Sequence, residues 1–115
     1  RGLGDVYKRQ INIRAIEQFR ALFDCPIGYS GHEKGYLPSV LAAAFGAASV
    51  ERHITLDRTL WGSDQAASLE AEGLRRMVRD IRSVPVVLGD GKKVVYESEK
   101  PVLKKLRKVK NAQPA

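Results

Sequence analysis

The stretch from Pro26 to Thr55 constrains this chain most, because it reads as two short strands joined by a single helix. A strand over Pro26–Ser30 is followed by a polar loop, Gly31 to Tyr36. Leu37, Val40, Leu41, Ala44 and Phe45 then recur at helical spacing, with Pro38 suited to the first turn. Ser49 to Thr55 reads as the second strand. A helix between two strands of one sheet forces those strands to run parallel, so their C-terminal ends share one edge. Ala42, Ala43, Ala44, Gly46, Ala47 and Ala48 leave the helix slim enough to pack closely on that sheet.

Each predicted strand ends near a histidine. His32 follows Ile27-Gly28-Tyr29-Ser30-Gly31, and His53 lies within Val50-Glu51-Arg52-His53-Ile54-Thr55. On a shared sheet edge the two imidazoles face one mouth, and the period of two along a strand puts Glu51 and His53 on the same face. Two neutral imidazoles suit a divalent ion such as zinc, manganese, iron or nickel, with carboxylate or water completing the set and leaving room for substrate. The competing reading is two ordinary strand-end histidines. Ser30 offers a hydroxyl to a phosphate or carboxylate oxygen, Asp64 a carboxylate to sugar hydroxyls, and Arg52 a possible anion contact. Trp61 is either a pocket wall or a surface anchor.

Before this unit, Ile13, Ile16, Phe19, Leu22 and Phe23 predict a helix from about Asn12 to Phe23, ended by Asp24-Cys25-Pro26. After it comes a loop, Leu56 to Ala67. A third helix is then marked by Leu74, Met77, Val78 and Ile81, with Ser68 or Glu70 as candidate caps. Val84 to Leu88 and Val94 to Tyr96 flank Gly89-Asp90-Gly91, which fits either a hairpin turn or a closing loop. Two parallel strands alone leave unpaired edges, so the expectation is an α/β chain that forms part of a larger sheet.

At 115 residues with 43% hydrophobic content the chain is sized for one small domain. Residues 1–10 show no period and are read as a non-native extension, residues 11–99 as the strand-helix body, and residues 100–115 as a basic tail. The net charge of +7 concentrates in that tail, which argues against a nucleic-acid role for the body. There, Leu103, Leu106 and Val109 predict a short amphipathic helix. No apolar run approaches the roughly 20 residues that span a bilayer, so a cytoplasmic protein is expected. Cys25, the one cysteine, forms no internal disulfide and is expected to be a buried structural thiol.

Three motifs carry a more specific likeness: Gly28-Tyr29-Ser30-Gly31-His32-Glu33, Glu51-Arg52-His53-Ile54-Thr55-Leu56-Asp57, and Trp61-Gly62-Ser63-Asp64-Gln65-Ala66-Ala67-Ser68-Leu69-Glu70. Together they resemble the C-terminal part of the N-acetylneuraminate (sialic acid) synthase family, from about Asn12 through Arg82 and more weakly to Lys110. The resemblance implies a C-terminal fragment of a (β/α)8 TIM barrel. It implies an enzyme that condenses phosphoenolpyruvate with N-acetylmannosamine or a related N-acetylated amino sugar, releasing phosphate, with a divalent metal, commonly manganese. It also implies His32 and His53 as metal ligands, Ser30 as a phosphoenolpyruvate contact, Asp64 as a sugar contact, and a homodimeric full-length protein.

Gly31, Glu33 and Gln65 depart from the aspartate, threonine and histidine that many members of that family carry, which leaves the acceptor sugar open between sialic, legionaminic, pseudaminic and other nonulosonic acid pathways. The family's phosphate-binding lysines and its general base belong to earlier strands, so this polypeptide alone is expected to be inactive. Rival readings are a noncatalytic basic module acting through the tail, and a sugar-phosphate aldolase or isomerase on the same barrel.

Overall fold

The computed structural model describes residues 10–106. Its first helix, α1, spans Ala15–Leu22, shorter than the predicted Asn12–Phe23 at both ends. Asn12 adopts a positive φ of 49°, and Ala15, Ile16 and Glu17 donate to carbonyls only three residues back, so a tight turn precedes the helix. Phe23 is already extended and ends the helix. Of the apolar stripe, Ile16 is buried, whereas Phe19 and Phe23 are exposed.

Strand β1 is Gly28–Gly31 and strand β2 is Ser49–Arg52, paired in parallel with Gly28 opposite Ser49 and Gly31 opposite Arg52. The pairing holds as the intervening helix demanded, and the C-terminal ends do share an edge. β1 starts two residues later than predicted because Pro26 has no amide proton to contribute. Ile27 gives only its carbonyl, to the Ala48 amide at 2.7 Å.

β2 ends at Arg52 rather than Thr55 because the chain changes partner there. The Leu69 amide donates to the His53 carbonyl and the Thr55 amide to the Leu69 carbonyl, both at 2.9 Å, forming a parallel bridge between Ile54 and Leu69.

The connecting helix, α2, spans Leu37–Ala44 with Pro38 in its first turn. Its buried Ser39 and Ala42 show how closely it sits on its neighbours β1, β2 and the long C-terminal helix. It ends in a Schellman turn, with the Gly46 amide donating to Ala43 and the Ala47 amide to Ala42. Gly46 supplies the positive φ of 97° that this turn needs.

The long helix, α3, spans Ala71–Leu88 and buries Met77. Glu70 occupies the N-cap position, but neither it nor Ser68 caps the helix through its side chain. The Ser68 hydroxyl donates to the Asp64 carbonyl, and the Glu70 carboxylate accepts from Arg58. Val84 to Leu88 form the last turns of α3 rather than a strand, and no strand forms at Val94 to Tyr96. The stripe Leu74, Met77, Val78, Ile81 continues by three to Val84, so helical period outweighs both the local valine run and Pro85. Gly89, at a φ of 63°, ends the helix by donating to Pro85.

A last short helix, α4, spans Lys100–Leu106 and bears out the amphipathic tail as far as Leu106; Val109 lies outside the described residues. Cys25 is exposed, not buried, since it sits in the irregular segment before β1 rather than inside the strand. Ile16, Ala42, Leu69 and Met77 make up the buried apolar core, while Leu56, Trp61, Val86 and Val87 are largely uncovered. No helix among the described residues is long and apolar enough to cross a membrane.

Candidate metal centre

Because β1 and β2 end side by side, His32 and His53 emerge as neighbours. Their rings lie 5.1 Å apart, centroid to centroid, at 77° in an edge-to-face arrangement. The loop after β2 then returns through a single turn of 3-10 helix, Gln65–Ala67, which places Asp64 against them. One ligand atom from each of His32, His53 and Asp64 lies within 4.8 Å of the other two, and His53 Nδ1 is 3.7 Å from Asp64 Oδ2. All three side chains are exposed, and His53 and Asp64 line an open cleft together with Gly62, Gln65 and Ser68.

The loop carrying Asp64 is shaped from within. Asp57 Oδ1 accepts from the Thr59 amide at 2.8 Å and hydroxyl at 2.7 Å, which lowers the Asp57 pKa and fixes a tight turn. The Thr55 hydroxyl hydrogen-bonds Gln65. Trp61 is fully exposed, at 100%, and lines no wall among the described residues.

Ser30 sits opposite Glu51 in the ladder, and its hydroxyl donates to Glu51 Oε1 at 2.9 Å. Glu51, Ser30 and His53 are thus exposed together, and the intervening Arg52 side chain turns inward. The sequence offered Arg52 as an anion contact for substrate. Instead its guanidinium is 1% exposed and ion-pairs with Glu33, itself 7% exposed, at 3.0 Å.

The buried pair is well provided with partners. Arg52 Nη1 also donates to the Gly35 carbonyl at 2.7 Å and Ser39 Oγ at 3.2 Å, and Nη2 to the carbonyls of Glu33 at 2.7 Å and Ala67 at 3.1 Å. Arg52 Nε is buried without a partner. Glu33 further accepts from the Ser39 and Tyr29 hydroxyls, at 3.0 and 2.9 Å. Burial, and then the Glu33 carboxylate, push the Tyr29 phenol well above its ordinary value, so it stays a donor.

Sequence reasoning missed this network. The signal was there in two opposite charges, each adjacent to a histidine, on segments expected to lie side by side.

A family model described as the NeuB family matches residues 6–93. The chain belongs to the NeuB family. It is 48% identical over 99 residues to N-acetylneuraminate-9-phosphate synthase of Homo sapiens, covering 85% of this chain and 28% of that protein. It is 36% identical over 94 residues to N,N'-diacetyllegionaminic acid synthase of Legionella pneumophila, covering 82% and 26%.

Among solved structures, N-acetylneuraminic acid (sialic acid) synthetase from Leptospira borgpetersenii serovar Hardjo-bovis, in complex with citrate, superposes with a TM-score of 0.66 at 37% identity. That match covers 85% of this chain and 35% of the other. The chain therefore spans about a third or less of the length of these NeuB relatives. The family and the mixed α/β architecture both agree with the sequence expectation.

Proposed function

We propose that this chain contributes the metal-binding part of a (β/α)8-barrel synthase that joins phosphoenolpyruvate to N-acetylmannosamine or a related N-acetylated amino sugar. The observation that carries the reading is the convergence of His32, His53 and Asp64 at the C-terminal edge of parallel strands. That edge is where (β/α)8 barrels place their chemistry. The synthase names of the relatives supply the reaction class.

Two imidazoles and a carboxylate from three segments fit a divalent ion of the manganese or zinc kind, and their exposure leaves coordination positions open. When bound, such an ion withdraws electrons from the aldehyde oxygen of an open-chain sugar. His32 and His53 would hold it through ring nitrogens, and Asp64, within 4.8 Å of both, would share its two carboxylate oxygens between the ion and an acceptor hydroxyl. Ser30, which donates its hydroxyl to Glu51 here, would turn that proton to a phosphoenolpyruvate oxygen when the substrate binds. Carbon–carbon bond formation between the enol carbon and the aldehyde carbon, with addition of water and loss of phosphate, draws on groups from the rest of the barrel.

The test is a chimera in which this chain replaces the matched segment of the human relative. Phosphate release from phosphoenolpyruvate should depend on Mn2+ and on an N-acetylated amino sugar, and His32→Ala or His53→Ala should abolish the metal dependence. Unchanged metal affinity and rate in both variants would refute the assignment. A panel of acceptor sugars separates sialic from legionaminic and pseudaminic acid synthesis.

A further inference from the structure

His32, His53 and Asp64 are exposed side chains on three different segments, and nothing passing directly between them is as short as a hydrogen bond. Their spacing must be imposed from behind, since a metal site works only when its donors are held within about 0.5 Å of the required geometry. The group behind all three is the Arg52–Glu33 pair. Arg52 immediately precedes His53, and Glu33 immediately follows His32.

The guanidinium grips the His32 loop through Glu33 Oε1 and the Glu33 and Gly35 carbonyls, and the Asp64 turn through the Ala67 carbonyl. Ala67 in turn donates its amide to the Asp64 carbonyl at 3.2 Å. We propose that the buried Arg52–Glu33 pair is a positioning device that sets the spacing of the three metal-binding side chains, an inference that rests on the metal reading above.

Gly31 bears on the same device. A Cβ built there would meet Glu33 Oε2 at 2.5 Å, the Tyr29 ring at 2.8 Å and Arg52 Cδ at 2.9 Å. The Glu33 carboxylate thus fills space that a side chain at position 31 would otherwise take.

The experiment uses the chimera, with Mn2+ affinity read directly by electron paramagnetic resonance and the Mn2+ dependence of turnover read alongside. Glu33→Ala and Arg52→Lys should each weaken Mn2+ binding by about 10–100-fold, the range seen when groups supporting a metal ligand are removed. Excess Mn2+ should restore the rate. Arg52→Lys keeps the charge but not the planar fork, so it carries the test if Glu33→Ala does not fold.

Variants that melt earlier yet bind Mn2+ with unchanged affinity would show the pair to be a stabilising contact only and overturn the proposal. If the unsubstituted chimera binds no Mn2+, the metal reading falls and the positioning role falls with it.

Discussion

Removing the Arg52–Glu33 pair in two steps should produce strong non-additivity in stability. Arg52→Met leaves the Glu33 carboxylate, 7% exposed, with only the Tyr29 and Ser39 hydroxyls for company. Stranding one member of a buried pair costs about 3–5 kcal/mol. Glu33→Leu strands the guanidinium at a similar cost.

In the double variant neither charge is left buried, and what remains is the loss of donors to the carbonyls of Gly35, residue 33 and Ala67, at about 1 kcal/mol each. The single losses sum to about 8 kcal/mol, whereas the double should lose only about 3–5. The assay is urea unfolding of the four proteins in the chimeric background, followed by circular dichroism. With a slope of about 2 kcal/mol per molar, each single variant should move the midpoint by about 2 M and the double by no more than either. A double variant whose loss equals the sum of the two singles would show that the charges do not depend on each other, and the reasoning would fail.

Two further outcomes are expected. Gly31→Ala should destabilise by about 1–3 kcal/mol, because its Cβ enters space held by Glu33, Tyr29 and Arg52; a midpoint within error of the unsubstituted protein would show that the network yields freely. On α3, hydrogen bonds from Arg75 and then Arg76 hold the Glu72 carboxyl at about 2 against an ordinary 4.5. A depressed folded pKa stabilises fully above pH 4.5 and ceases to do so as pH falls towards 2. Glu72→Gln should therefore flatten the acid limb of a stability profile over that window, by a small amount that salt reduces because the pair is exposed. An unaltered profile would argue against these contacts.

The sequence carried the parallel pair, and with it the meeting of the two histidines, because topology leaves no other way to join strand, helix and strand. Asp64 was legible as a polar loop residue, but its arrival beside His53 depends on the return of the loop to pair Leu69 with Ile54, which no local pattern announces. The end of α3 was misread because Val84, Val86, Val87 and Leu88 have the composition of a strand, and only the phase of the preceding stripe distinguishes a helix. Arg52 was misread for a related reason. Alternation along β2 pointed it inward, yet an inward arginine is affordable only with Glu33 opposite, and that pairing is a fact of three dimensions.

The change of partner at His53 has a consequence for how such a site diversifies. Up to Arg52 the strand is bonded to β1, and from His53 onward to Leu69, so the backbone on both sides of the imidazole is pinned. Between its ends, the segment from Leu56 to Ser63 is tethered to α3's start by the Arg58–Glu70 pair. Insertions, deletions and substitutions there can reshape the cleft while the histidine pair keeps its place.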